Sequence, residues 1–523
     1  MRESEKLARS ASLVGSLTFL SRIAGYVRDM VIAYFFGATA YTDAFWIAFR
    51  IPNLLRRLFA EGSLTISFIP VFTDTLEKKN KEEAKKVSDI IFSILLVTLI
   101  AVSALGIIFS PYIVKLFAYG FDKETFDISV SLNRIMFPYI LFISLTALSM
   151  GVLNSLRHFF APAFSPVLLN ICVIGSVLLI QQKFDIPIYS AAIGVILGGL
   201  LQFLLQLPFV KAEGFMFRFR SNFKHPAVKR IGLLLVPQLF GIAVYNLNII
   251  VSSQYASFMQ SGTISYLYFA ERLIEFPLGI IAVSIATVLL PTLSSLVSRG
   301  EFGKFRETYS STLKLMLFIL IPALAGLIAL RIPICNLLYQ RGEFTYEATL
   351  FTSQALLGYS FGLWAVGGLR ITAPAFYAMQ DTKTPVIVAF LAFVANAILG
   401  YVLGFTLKMN HTGLAVASSI SSVFNFFTLV YLLERRTGDI RMKPLLVFCL
   451  KVVILSAIMA AVAWKISTYA DWTQSVFSIR KLAVLLGAMG AAGIFYFASA
   501  KIIGLEELEY LLRLRKRKAE RGN

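Results

Sequence analysis

The nine residues SRIAGYVRD, 21–29, sit inside an apolar stretch that runs from Leu13 to Phe36. Read as a membrane helix, that stretch holds Arg22, Arg28 and Asp29 at mid-depth, where a charge costs at least about 2.5–3.5 kcal/mol. Arg22 lies at least about eleven residues from either end of the expected span, residues 11–36, or roughly 17 Å at 1.5 Å per residue. That exceeds the reach of its side chain, so it cannot escape to the surface. Either the stretch is not a membrane span, or these charges face a polar cavity or a partner.

The rest of the chain decides between the two. Of its 523 residues 57% are hydrophobic and only 15% charged, and mean hydropathy is +0.75, too apolar for a soluble multidomain protein. Runs long enough to cross about 30 Å of hydrocarbon recur from end to end. Fourteen helices are expected, at 11–36, 44–73, 88–118, 127–154, 163–180, 188–210, 231–259, 264–297, 307–335, 347–379, 385–406, 412–433, 444–469 and 482–500. The fold class is therefore an all-α polytopic membrane protein. The opening MRESEKLARSAS leads into a segment too long and too charged for a cleavable signal, so the first helix is expected to stay.

Cys172, Cys335 and Cys449 lie in apolar segments without paired spacing, which suggests neither a disulfide framework nor a metal site. His158, His225 and His411 lack metalloenzyme spacing. The net charge of +20 is unevenly distributed. With the N-terminus placed in the cytoplasm, about 30 Lys and Arg fall in inner loops and tails, about 6 in outer loops and about 13 within spans. The basic clusters KKNKEEAKK, KAEGFMFRFRSNFKHPAVKR, ERRTGDIRMK and RLRKRKAER read as topology signals beside anionic lipid, not as a nucleic-acid surface. Both termini are expected in the cytoplasm.

The chain also repeats itself. SFIPVFTDTLEKKNKEEAKK is echoed by VLLPTLSSLVSRGEFGKFRE, which sets Pro70 on Pro291. AFWIAFR matches YLYFAER, setting Arg50 on Arg272, and LRHFFAP matches MQDTKTP, setting Pro162 on Pro385. The offsets are 221, 222 and 223 in chain order. A period of six helices preserves orientation, so two six-helix lobes should be related by a pseudo-two-fold axis along the membrane normal. Residues 1–210 would form the first lobe and 211–434 the second. Residues 435–501 would add two helices without counterparts, and 502–523 a basic cytoplasmic tail. In repeat transporters the substrate site lies where the lobes meet, which gives intramembrane charges a destination.

Arg22, Arg28, Arg56 and Arg272 all lie deep within expected spans. Arg22 and Asp29, seven apart, share a helical face with Gly25 between them. Internal ion pairing is one account, with Asp29, Asp43, Glu61, Glu271 and Glu275 available. Yet the first two helices carry Arg22, Arg28, Arg50, Arg56 and Arg57 against only Asp29, Asp43 and Glu61. An excess of guanidinium suits a phosphate-bearing substrate, because its planar fork binds phosphate oxygens in pairs and does not deprotonate.

SRIAGYVRD, then TDAFWIAFRIPNLLRRLFAEGSLTISFIPVF, and later YFAERLIEFPLGIIAVSIATVLLP, resemble the MurJ (MviN) family of bacterial lipid II flippases. That family belongs to the multidrug/oligosaccharidyl-lipid/polysaccharide exporter superfamily. The resemblance implies a transporter, not an enzyme, that exports undecaprenyl-diphosphate-linked MurNAc-pentapeptide-GlcNAc to the outer leaflet of the inner membrane by alternating access, for peptidoglycan synthesis and cell shape. It places the family's functional arginines on Arg22, Arg28, Arg56 and Arg272, with Asp29 among them and Asp43, Glu61 and Glu275 in matching positions. It also implies that the two extra helices form a groove for the undecaprenyl tail. Arg50 and Arg57 receive no comparable role.

Some family members resemble sodium binders through acidic residues on helices 7 and 11. Here those helices carry no carboxylate, and only Asn248 and Asn396 stand as weak sodium ligands. No resident cofactor is expected. The membrane potential suffices in principle to drive an anionic headgroup outward, with sodium or proton coupling left open. The partners expected are lipid II and membrane lipids, for a monomer that contacts cell-wall synthesis machinery. The alternatives are a flippase for another polyprenyl-diphosphate glycan, and a drug or cation antiporter of the same superfamily. The antiporter would need buried carboxylates in excess within the lobes.

Overall fold

The computed structural model describes residues 3–56, 65–222, 225–279, 283–440 and 442–509. It is all helical, with 84% of the described residues in helices and no strand among them. The helices form two compact units, Met1–Ser265 and Tyr266–Asn523. The first holds α1 (Glu3–Phe36), α2 (Ala40–Arg56), α3 (Thr65–Lys78), α4 (Lys81–Ile108), α5 (Ser110–Phe117), α6 (Lys123–Met136), α7 (Tyr139–Ser155), α8 (Phe160–Ile180), α9 (Tyr189–Ala212) and α10 (Pro226–Ser257). The division falls in the first turn of α11 (Thr263–Pro277). The second unit continues with α12 (Val283–Ser298), α13 (Phe302–Ala329), α14 (Arg331–Tyr339), α15 (Tyr346–Ser360), α16 (Leu363–Ala378), α17 (Lys383–Tyr401), α18 (Asn410–Thr437), α19 (Met442–Ser467) and α20 (Ile479–Ile502).

Among the described residues nine helical segments are long and apolar enough to cross a membrane. They coincide with nine of the fourteen expected spans. The other five expected spans are also helical over their described residues; 347–379 is split between two helices, whereas 44–73 and 264–297 each include residues outside the described ones, 57–64 and 280–282. Two further expected spans, 88–118 and 307–335, end in short separate helices. The cause in the first is Pro111 in the opening turn of α5, and Pro333 stands near the start of α14. Proline lacks the amide that would continue the preceding ladder, yet suits a first turn.

The repeat extends to the order of the helices. Each of α1–α9 has a counterpart of similar length among α10–α18. Helices α4 and α13 both have 28 residues, and start at 81 and 302, 221 apart. Local geometry repeats too. Arg157 and Gln380, 223 apart, both take a φ of 60°, in the left-handed region that L residues visit rarely. In each case the next amide closes the preceding helix, His158 N donating to Leu153 O and Asp381 N to Phe376 O. This is a six-to-one closure of the Schellman type. Helices α19 and α20 have no counterpart.

Within the first unit α8 packs along α9, and α1 lies on α8. The α8–α9 contact depends on Gly194 and Gly198, one turn apart. A Cβ at Gly194 would stand 2.6 Å from Val173 Cα, so only glycine permits this approach. A core of Phe68, Val71, Phe72, Val87, Leu148 and Phe215 fills the space between α3, α4, α7 and the α9–α10 connection. That connection is pinned by the buried Asp89, which accepts from Arg218 N at 3.0 Å and Arg220 Nε at 2.9 Å. Helix α10, expected to open the second lobe, packs on α3, α4 and α5.

In the second unit α13 packs on both α16 and α19, and α20 follows along α19. The connection between α19 and α20 is held to α14 and to the first turn of α20. Asn336 donates to Trp472 O at 2.8 Å, Gln340 to Thr473 O at 2.8 Å, and Lys481 Nζ to Gln474 O at 2.5 Å.

Candidate functional site

The charges of SRIAGYVRD fall in the second half of α1. Asp29 is fully buried and Arg28 is 7% exposed. The guanidinium curls back on its neighbour, with Nη2 at 2.7 Å and Nε at 3.0 Å from the same Asp29 oxygen. Its Cζ stands 5.6 Å from the centroid of the Phe49 ring on α2, a cation–π distance. A buried charge needs such compensation, because desolvation alone would make it prohibitive. Helical spacing set Asp29 on the face of Arg22, seven residues away. The ion pair found is with the adjacent residue, made possible by the length of the arginine stem.

Arg22 is half-buried and makes no hydrogen bond or ion pair among the described residues. Beside it Asn170 of α8 donates to Ser21 O at 3.2 Å, which fixes this part of α1. Arg56, at the end of α2, donates Nε to Asn53 Oδ1 at 2.8 Å, one turn back. Arg50 donates Nη1 to Ser253 Oγ of α10 at 2.7 Å. Arg57 and Glu61 lie outside the described residues. Arg272, in the second unit, pairs with Glu275 one turn on, Nη1 to Oε2 at 3.2 Å.

Asp43 holds a different place from the arginine partner that charge counting offered. It is 3% exposed and accepts from Gly262 N at 2.8 Å, Ser265 N at 2.8 Å and Ser265 Oγ at 2.6 Å. The first amides of a helix have no partner within it. Asp43, carried on the first turn of α2, supplies acceptors for those of α11 in the manner of an N-cap. Gly262, at a φ of 90°, turns its amide toward the carboxylate without the penalty a Cβ would bring. Two neighbouring contacts reinforce this end of the unit. Tyr119 N donates to Gln254 Oε1 at 2.9 Å, and Gly120 N to Ser257 Oγ at 3.0 Å. A Cβ on Gly120 would meet Phe258 N at 2.7 Å.

Sequence reasoning missed Ser253, Gly262 and Ser265, whose partners lie more than 200 residues away. It also missed Asn53, which stands three residues before Arg56 on one helix, a spacing that could have revealed it. Asn248 lies on α10 and Asn396 on α17, in separate units. Among the described residues no group of three or more His, Cys, Asp or Glu is arranged to hold a metal.

A duplicated helical architecture with nine apolar spans among the described residues, and with a buried arginine–aspartate pair in the neighbouring helix α1, defines a multi-pass membrane transporter built on a repeat. The chain belongs to the lipid II flippase MurJ family, whose model matches residues 32–484. A probable lipid II flippase MurJ of Vibrio cholerae serotype O1 is 36% identical to it over 523 residues, covering 96% of this chain and 97% of the relative. A solved structure described as lipid II flippase MurJ in an inward closed conformation superposes with a TM-score of 0.78 at 30% identity, over 94% of this chain and 99% of its own. An inward-facing multidrug resistance MATE transporter of the MOP superfamily superposes at 0.68 with 12% identity, over 83% of this chain and 99% of its own. At that identity the likeness speaks to the fold alone.

Proposed function

We propose that the chain exports lipid II from the inner to the outer leaflet of the bacterial cytoplasmic membrane by alternating access. What carries this reading is the family match, which runs through both halves of the repeat. Arg22, Arg28 and Arg56 serve as diphosphate ligands, and Arg272 as a further one. Each guanidinium offers paired N–H donors to phosphate oxygens and keeps its charge at any working pH. Asp29 holds the Arg28 guanidinium in place, and Glu275 does the same for Arg272. Glu61 has a supporting charge role, whereas Asp43 acts through the α11 terminus.

The chain crosses the membrane fourteen times with both termini in the cytoplasm, as the loop charges favour. The lobes are 1–210 and 211–434, the lipid-tail groove is formed by 435–501, and the protein works as a monomer. An inside-negative potential favours outward movement of an anionic headgroup by about 2.3 kcal/mol per charge per 100 mV. Voltage is therefore the proposed driving force, with sodium at Asn248 or Asn396 the weaker alternative. The experiment is depletion of the protein in its host, followed by analysis of inner-leaflet lipids. Accumulation of lipid II is expected, reversed by the wild type and not by Arg22→Ala. Accumulation of a different polyprenyl-diphosphate glycan would overturn the substrate assignment.

A further inference from the structure

A cavity of about 1140 Å³ opens in the second unit between the first half of α13, the α18–α19 connection and the segment that follows α20. Its lining residues on α13 and after α20 have no role in the proposal above, and Asp439, Ile440 and Pro444 stand at the start of the segment assigned there to the lipid-tail groove. Its charges are ordered along α13. Glu307, Ser310, Ser311 and Lys314 recur at three- and four-residue intervals, so they share one helical face. The axis rises by about 10 Å from Glu307 to Lys314.

Two of the cations in this wall are engaged elsewhere. Lys304 pairs with Glu301 at 2.7 Å, and Arg306 Nη1 donates to Thr437 O at 2.6 Å, which ties α13 to the end of α18. Lys314 is half-buried and has no hydrogen bond or ion pair among the described residues. Its ammonium lies 5.9 Å from the ring of Phe448 on α19. Glu307, Glu506 and Glu507 also line the cavity, and they too have no such partner among the described residues. Leu315 and Pro444 add apolar wall beside Lys314. Moving out along α13, the lining thus passes from Leu315 to Lys314, then the Ser311 and Ser310 hydroxyls, then Glu307, with the engaged Arg306 and Lys304 beyond it, while Glu506 and Glu507 join the wall from the segment after α20.

A complementary ligand presents an acyl chain, an anion and a cation in that order. We propose that this cavity binds a phospholipid with a primary ammonium headgroup, a phosphatidylethanolamine, its phosphate on Lys314 and its ammonium among Glu307, Glu506 and Glu507. The phosphate–lysine and ammonium–carboxylate contacts are charge-assisted hydrogen bonds. A trimethylammonium headgroup has no N–H to give the carboxylates. A purely anionic headgroup sets like charge against them, which selects against it. The bound lipid links α13 to the segment after α20, on which the appended helix pair ends. The inference does not depend on the flippase reading.

The test uses the purified full-length protein in nanodiscs holding equal parts phosphatidylethanolamine, phosphatidylcholine and phosphatidylglycerol with matched acyl chains, and native mass spectrometry of the retained lipids. Retention of phosphatidylethanolamine is expected to exceed the other two about tenfold, the scale of one charge-assisted hydrogen bond. Lys314→Gln should abolish that preference. Lys451→Gln, at a lysine of α19 that does not line the cavity, should leave it unchanged. Glu506→Gln with Glu507→Gln should shift selection toward phosphatidylglycerol. Should Lys314→Gln fail to fold, the wild type alone decides, by whether added phosphatidylethanolamine raises its thermal midpoint more than phosphatidylcholine does. Equal retention of the three lipids, preference for phosphatidylglycerol in the wild type, or an unaltered preference in a folded Lys314→Gln protein would each overturn the assignment.

Discussion

Replacing Asp43 by Asn tests the reasoning about the first unit with a change of one atom. The carboxylate accepts three hydrogen bonds, two from the amides of Gly262 and Ser265 and one from the Ser265 hydroxyl. Asparagine keeps one acceptor and turns the other end into a donor, which then faces an N–H group. At least one charge-assisted bond is lost outright and the rest lose the charge. Hydrogen bonds to charged groups contribute about 1.5–3 kcal/mol each, whereas loss of an ordinary N-cap costs about 0.5–2 kcal/mol. Part of the gross loss is offset, because a buried carboxylate is itself expensive to desolvate. A net loss of about 2–3 kcal/mol follows, or about 30- to 150-fold in the local opening equilibrium. Amide hydrogen exchange read on peptides spanning 259–268 reports it directly. Asp122→Ala serves as control, since Asp122 caps its own helix by accepting from Thr125 N at 3.1 Å and should leave 259–268 unaffected. Exchange at Gly262 and Ser265 in Asp43→Asn equal to that of the wild type would refute the capping role.

Three further outcomes are expected. Arg28→Ala removes both hydrogen bonds from the guanidinium to the buried Asp29 and should destabilise the protein by about 3–5 kcal/mol. Arg28→Ala combined with Asp29→Ala should recover much of that, and a double variant no more stable than the single one in a thermal unfolding assay would count against the pair. Arg22→Ala should weaken lipid II binding about ten- to hundredfold at unchanged stability, with Arg22→Lys rescuing poorly for want of the planar fork. Arg50→Ala, by contrast, should complement a depletion strain, and failure at matched expression would show that its bond to Ser253 matters more than the diphosphate reading allows. Acid should loosen the contact between α3 and α10. Lys78 and then Arg230 hold the Asp74 carboxyl below its ordinary value of 3.8, so its contribution is complete above that pH and is lost as pH falls through the lower folded value. Hydrogen exchange around Arg230, corrected for intrinsic rates, should quicken at pH 3 relative to pH 6, and unchanged protection would contradict the assignment.

The helices and their repetition were legible because they rest on signals that survive in a single sequence. Apolar runs of span length mark nine of the described helical segments, and Pro70 and Pro291 mark equivalent positions inside α3 and α12. The ends of α4 and α13 were less so, because apolar composition runs through Phe109 and Leu330 and resumes after a single polar residue, Ser110 or Arg331, within the next helix. Pro111 and Pro333 were the available cue. The candidate site was legible as a set of residue types and not as a set of contacts. Arg28 and Asp29 are adjacent, a spacing at which helical side chains do not ordinarily face each other. Only the folded guanidinium reveals the pair. Asp43 meets Ser265 across 222 residues, the same separation that relates Arg50 to Arg272 in the repeat. Charge counting treats that carboxylate as a partner for arginine, since it has no means to weigh backbone amides at a helix end.

The claim that this chain moves lipid II by gripping its diphosphate is tested most directly in vesicles. The purified protein is reconstituted with lipid II in the inner leaflet, and its arrival in the outer leaflet is read by labelling from outside, at zero and at inside-negative potential. Wild-type protein should move lipid II outward, faster with the potential applied, and Arg22→Ala in equally folded form should reduce the rate toward that of protein-free vesicles. Outward movement at the wild-type rate by Arg22→Ala, or a wild-type rate no greater than that of empty vesicles, would contradict the account.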